Sequence, residues 1–287
     1  TAFCAAPLLL PLVGCTGNTD APVSPDADSA EVTAAIAIET TSYADQRTPA
    51  HTTAIARFIR SQGSIDAATL RMLGAASDLP PIGTCALAPH DVTGGTTSSS
   101  SRAVELVDVG AISIAAGDRV SVLAPRRIPD VTDLISGVVY STRTDGINAL
   151  VSGSISLRVA GKDDIGPLAI DLASIAAPTD VAFDGQIVSA PVPIAISPVA
   201  DVSVTWTPAE KSSADSDVIT FEITNSGEAI VCSYRDVGSA VLPSALFASG
   251  VGTITMHRIH RESAIAHGID DGEARFDASR VYDFVAP

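Results

Sequence analysis

From residue 32 onward, apolar and polar residues alternate with a period of two through most of this chain, which predicts strands rather than helices. The clearest runs are Ile155, Leu157 and Val159 between Ser154, Ser156 and Arg158, and Leu168, Ile170 and Leu172 around Ala169 and Asp171. In the last third, Val202, Val204 and Trp206 share one face and Ser203, Thr205 and Thr207 the other. Ile219, Phe221 and Ile223 then oppose Thr220, Glu222 and Thr224. Shorter pairs repeat the pattern, each expected to face a core: Val104 and Leu106, Ile112 and Ile114, Val120 and Val122, Val138 and Tyr140. The stretch Thr52 to Arg60 fits two periods, with Ile55, Phe58 and Ile59 on a helical face or Ala54, Ala56 and Phe58 on a strand; the strand is preferred. Asp145-Gly146, Gly161-Lys162-Asp163 and Asn225-Ser226-Gly227 punctuate these runs as turns. Two segments depart from the pattern. Residues 64–73 read as a short helix, opened by Ser64 as N-cap and stopped by Gly74. Residues 243–248 read as one helical turn, opened by Pro243.

Many short strands with almost no helix imply a mainly β fold, with antiparallel β-sandwich modules as one large or two packed units. The run Pro191 to Pro198 is either a hinge between two sandwiches or a loop crossing within one. The division expected is a β-rich domain over 32–190 and a second sandwich over 191–287. This second part loosely resembles an immunoglobulin-like domain, with an apolar-face tryptophan, Trp206, on one strand and Cys232 on a later one. No partner cysteine lies within 191–287, and Tyr234 follows Cys232 instead of preceding it, so the pin and tyrosine corner of that fold are missing.

The first fifteen residues carry no charge and end in Leu12-Val13-Gly14-Cys15. Leu8, Leu9, Leu10, Leu12 and Val13 make an h-region too short, with Pro7 and Pro11 inside it, to span a bilayer as a helix. The tetrapeptide resembles the lipobox of bacterial lipoproteins, in which cleavage precedes the cysteine and the cysteine carries the lipid. That resemblance implies a signal peptide over 1–14, truncated at its charged end, acyl chains on Cys15, and a lipidated tether over 15–31. An ordinary secretory signal that contains a cysteine is the alternative. Two or three acyl chains anchor stably where one holds only marginally. Thr16 instead of Asp after the cysteine implies outer-membrane sorting, facing either the periplasm or the exterior. The tether, TGNTDAPVSPDADSAE after Cys15, is small, polar and proline-containing.

Composition narrows the partners. The formal net charge is −16, and Lys162 and Lys211 are the only lysines, so no basic patch is there to hold a nucleic-acid backbone. Asp outnumbers Glu 25 to 8, which suits turns over helices. Aromatic residues make up only 4% of the chain, too few for a stacked carbohydrate groove. On the lipobox resemblance Cys4 would leave with the signal and Cys15 would carry the lipid, so Cys85 and Cys232 remain, an even number suited to an oxidising compartment. They are either bridged or separately buried, since a free cysteine is among the most readily buried residues.

Candidate chemistry is sparse. His257, His260 and His267, with Asp270, Asp271 and Glu273 near them, form the one histidine cluster, and imidazole with carboxylate suits zinc. On a strand, however, positions 257 and 260 point to opposite faces. Asp163-Asp164 and Asp215 with Asp217 read as surface turns, without the spacing of a calcium loop. There is no Gly-x-Ser-x-Gly elbow, His-Glu-x-x-His, P-loop or dinucleotide fingerprint. The preferred reading is a non-enzymatic cell-envelope lipoprotein serving as a binding, adhesion or scaffold module. It has no cofactor beyond the lipid, the membrane as one partner through its anchor and an envelope protein as another. The rival reading is a secreted metal-dependent hydrolase using His257, His260 and Asp270.

Overall fold

The computed structural model describes residues 30–44, 48–62, 65, 67–75, 79–88, 104–128, 135–142, 147–148, 154–172, 175–188, 192–209, 217–225 and 227–287. Cys15, the signal and all but the last two residues of the tether lie outside them, as do Ser64, Asp145-Gly146 and the polar segment 93–101. The first half carries β1 (Ala30–Tyr43), β2 (His51–Gln62), helix α1 (Ala67–Met72), β3 (Thr84–Leu87), β4 (Val104–Leu106), β5 (Ile112–Ala116), β6 (Arg119–Val122), β7 (Ala124–Ile128), β8 (Ile135–Ser141) and β9 (Ile147–Asn148). Then follow β10 (Ile155–Val159), β11 (Leu168–Leu172), β12 (Thr179–Phe183), β13 (Gln186–Ile187), β14 (Ile194–Ala195), β15 (Val202–Thr207), β16 (Asp217–Asn225), β17 (Glu228–Arg235), β18 (Ser239–Leu242), β19 (Gly250–Ser263) and β20 (Asp271–Ala286). The fold is mainly β and sandwich-like, as the alternation predicts.

One long sheet runs in the order β3-β17-β16-β19-β20-β1-β2-β4-β8-β7, with β14 beside β20 and β9 beside β2. Two four-stranded sheets, β11-β10-β5-β6 and β13-β12-β15-β18, pack against it. Cross-strand register decides which side they cover. Ile36 lies opposite Ala274, Ile38 opposite Phe276, Ile254 opposite Tyr282 and Phe221 opposite Met256, so these residues share one inner face. The first small sheet closes a core of Val32, Ile36, Phe58, Ile114, Leu157, Ile170 and Phe276 on that face. The second closes, over β16, β17, β19 and the far end of β20, a core of Phe183, Val204, Trp206, Phe221, Leu242, Met256 and Phe284. Each fully buried Val, Leu, Ile or Phe contributes about 1.5–3 kcal/mol over leaving it exposed, so both cores are substantial.

The chain therefore has two cores, but they do not divide at residue 190. The first and last strands, β1 and β20, lie side by side in parallel, and β20 supplies Ala274 and Phe276 to the first core and Tyr282 and Phe284 to the second. Val181 and Phe183, from before the expected boundary, belong to the second core. The proline-rich run is no free hinge. Ile194 pairs with Phe284 of β20, and Ile194 and Ile196 are buried in the second core. Between the cores, Arg258 is almost fully buried and makes three kinds of contact. Nε donates to Asp236 (2.8 Å), Nη1 to the carbonyl of Ala176 (3.0 Å) and Nη2 to that of Thr207 (2.7 Å). Asp236 also accepts the Trp206 indole N–H at 2.6 Å. A buried charge is tolerable only when paired and hydrogen-bonded in this way.

Local details follow the chemistry of the sequence. The segment from Thr52 to Arg60 is strand, with Ala54, Ala56 and Phe58 facing the core. The short helix spans Ala67–Met72 and stops at Gly74, whose φ of +60° favours glycine. The turn near 243–248 is a 3-10 helix over Ser244–Leu246, preceded by Pro243. Val120 and Val122 depart from expectation, being 66% and 63% exposed. In β6, Ser121 pairs with inward-facing Ile114, and the valines pair with Ala115 and Ser113 on the outer side of an edge strand. The Cys85–Cys232 disulfide joins directly opposed residues of neighbouring strands β3 and β17. It thus crosses within one sheet, unlike the intersheet pin of an immunoglobulin domain.

Candidate functional site

On the outer face of the long sheet, away from the two cores, charged side chains stand in register. Arg57 of β2 lies opposite Ala35 of β1, which lies opposite Glu273 of β20. Arg275 and Arg261 pair across β20 and β19. Helix α1 and the residues after it cover one end of this face. There Ile59, Leu73, Val104 and Leu106 form a small third core, with Leu70 and Ala75 packed against it. What remains between helix and sheet is a cleft of ≈ 390 Å³, floored by Thr33, Ala35 and Ala37 and walled by Leu70, Ala75, Arg57, Arg261, Arg275, Asp271 and Glu273. A cleft of this size with a few convergent polar groups is the usual form of a small-ligand site.

Its charges are unevenly satisfied. Arg275 donates to Glu39 at 2.7 Å, and Arg261 lies 3.6 Å from Glu273. Arg57 is half-buried and donates to the carbonyl of Gly74 at 3.1 Å, but no carboxylate among the described residues pairs with it. Burial lowers its pKa from the ordinary guanidinium value, with no charge of opposite sign to restore it. The Nε of Arg275 is buried and has no hydrogen-bond partner among the described residues. Asp271 is exposed, accepts the N–H of Gly272 at 2.8 Å, and forms no ion pair among the described residues.

The structure separates the histidines. His257 is on the outer face, its Nδ1 3.0 Å from both carboxylate oxygens of Asp277, with Glu222 3.9 Å from Nε2. Burial alone would pull its pKa down, but the hydrogen bond to Asp277 and the charges of Asp277 and Glu222 outweigh burial and nearby Arg275, and the pKa is raised. His260 is on the inner face, bound through Nδ1 to Asp217 and through Nε2 to Glu262 at 2.9 Å. Burial opposes and the two carboxylates prevail, raising its pKa as well. His267 sits in the turn between β19 and β20, where its carbonyl accepts the N–H of Gly166 at 2.7 Å. Asp270 accepts the N–H of Val32 at 2.8 Å and so fastens the start of β1. These four side chains are not brought together, and among the described residues no group of three or more His, Cys, Asp or Glu could hold a metal ion.

A second perturbed cluster is a structural clamp. Asp108 takes hydrogen bonds from Lys162 (2.6 Å), the Tyr140 hydroxyl (2.7 Å) and the Gly110 N–H (3.1 Å), which hold its carboxyl down at about 2. Tyr140 in turn accepts the Val109 N–H at 2.9 Å, tying that segment to β8.

Sequence reasoning did not single out Arg57, Arg261 or Arg275. The signal available was local: Arg57 and Arg275 each fall on the polar phase of a strand whose other phase is apolar. What it lacks is the parallel pairing of the first and last strands, which brings these arginines to one cleft.

The chain matches no protein-family model, and no curated protein matches it. No helix among the described residues is long and apolar enough to cross a membrane.

Proposed function

We propose that this chain is a cell-envelope lipoprotein of the outer membrane, a sandwich-like β body tethered through acyl chains on Cys15 and acting as a non-enzymatic binding module. The observation that carries the reading is the Cys85–Cys232 disulfide, which suits an oxidising compartment and is uncommon in cytosolic proteins. It stands beside the lipobox-like Leu12-Val13-Gly14-Cys15 and the polar tether behind it. The membrane is reached through lipid, and the second partner is a protein or peptide of the envelope, met by the outer face. The hydrolase reading gains no support, because His257 and His260 occupy opposite faces and Asp270 is engaged in backbone pairing.

The test is mass analysis of the mature N-terminus from a membrane fraction. Acyl chains on Cys15 as the first residue are expected, and Cys15→Ser is expected to release the protein from membranes. An intact peptide upstream of Cys15 in the mature protein would overturn the anchor.

A further inference from the structure

We propose that the outer-face cleft binds a short peptide with both ends free, its carboxylate on Arg57 and its ammonium at Asp271. The inference deepens the binding-module reading and rests on it, but is independent of the lipid anchor. It begins from what the cleft leaves unmatched. Arg275 has Glu39 and Arg261 has Glu273, so the residual charges among the described residues are one guanidinium and one carboxylate. A half-buried guanidinium without a counter-ion is costly, and its planar fork suits a carboxylate bidentately. A simple anion would satisfy Arg57 but would also meet the facing charge of Asp271; a zwitterion answers both.

Register sets the length. Arg57 and Asp271 are on strands separated by β1, and Asp271 is two residues along from the position level with Arg57. Strand spacing and rise put their backbones about 12 Å apart. An extended tripeptide is about 10 Å long, and the two side chains supply the remaining reach. The floor of Thr33, Ala35 and Ala37 has short side chains, so a ligand backbone can lie close to the sheet, while Leu70 and Ala75 offer an apolar wall to small side chains.

The test is calorimetric titration of the full chain with trialanine, its C-terminal amide, its N-acetyl form and hexanoate. Trialanine is expected to bind. Amidation, or Arg57→Gln, is expected to weaken binding about tenfold or more, the loss of one charge-assisted pair. N-acetylation, or Asp271→Asn, is expected to weaken it about threefold, because Asp271 is exposed and screened. Ala35→Leu fills the floor while keeping both charged residues and is expected to abolish binding, with its melting curve checked against the parent. That variant and the amidated peptide decide the matter if Arg57→Gln does not fold. No binding of trialanine, or binding indifferent to amidation, overturns the proposal, and hexanoate binding as tightly as trialanine overturns the ammonium half. Acylation at Cys15 plays no part in this titration, so its failure leaves the anchor standing, and an intact peptide upstream of Cys15 in the mature protein overturns the anchor while leaving the cleft's binding of trialanine untouched.

Discussion

Beneath one end of the long sheet the core is built almost wholly from Val, Ile, Leu and Ala, with Phe58, Tyr140 and Phe276 as its aromatics. Beneath the other end it is built around rings. Phe183 meets Tyr282 edge-on at 5.9 Å, Trp206 meets Phe221 at 5.9 Å, and Phe247 meets Phe284 at 5.5 Å. Such pairs add about 0.5–1.5 kcal/mol each beyond burial and favour one orientation. The aliphatic core is specified chiefly by alternation and strand pairing, which tolerate exchange of one aliphatic for another of similar volume. The aromatic core depends on side-chain identity, backed by a disulfide that closes a sequence separation of 147 residues. Both draw on β20, and Arg258 of the neighbouring β19 lies buried between them, so differently made cores are expected to unfold as one unit.

The largest expected effect comes from breaking that meeting point. Asp236→Ala leaves Arg258 buried without its carboxylate and the Trp206 N–H without an acceptor, and is expected to cost about 3–5 kcal/mol. Trp206 is the only tryptophan, so its fluorescence reports the aromatic core while far-UV dichroism reports the whole chain. In chemical denaturation of the variant, the two signals are expected to fall together at a lower midpoint. A fluorescence transition that precedes the dichroism transition would show the cores to be independent. Next comes the bridge. Cys85→Ser with Cys232→Ser is expected to cost about 2–5 kcal/mol, mostly by freeing the unfolded chain. Hydrogen exchange is expected to quicken at β3, an edge strand of four residues, before it quickens in β5 or β10. Equal loss of protection in both cores would remove the distinction drawn between them. Leu157→Ala, in the middle of the aliphatic core, is expected to cost about 2–5 kcal/mol, with fluorescence of Trp206 unchanged in the folded protein.

Legibility in the sequence followed the same division. Ile155, Leu157 and Val159 and their inward neighbours were readable because alternation is a local signal, complete within five residues. The Cys85–Cys232 pairing stayed open because it depends on β3 adding to the edge of β17, a long-range event with no local mark. Val120 and Val122 misled for a related reason: in an edge strand the phase of alternation does not say which face is covered, and the partner Ile114 settles it. The expected boundary at 190 failed because Pro191 to Pro198 resembles a linker in composition, yet Ile194 finds a pairing partner in Phe284 more than eighty residues on. The opposite faces of His257 and His260 were readable from parity alone. The arginine cleft was not, because it needs β1 beside β20.

The smallest effect is also the one that separates the two faces of the sheet. His257 and His260 both have pKa values raised above the free imidazole value of 6.5. A proton bound more tightly in the folded than in the unfolded state stabilises the fold, and that stabilisation is complete below the unfolded pKa. It is lost as pH climbs from about 6.5 through the folded values, so melting temperature is expected to fall between mildly acid and mildly alkaline solution. His257→Asn removes the outer contribution and His260→Asn the inner one, and each is expected to flatten part of the slope. The outer pair has Arg275 and the cleft beside it, so trialanine bound at Arg57 is expected to alter the titration of His257 and leave His260 unmoved. Chemical shifts of the two imidazoles followed against pH, with and without the peptide, measure this directly. Equal movement of both would mean that the inner and outer faces are not electrically separate.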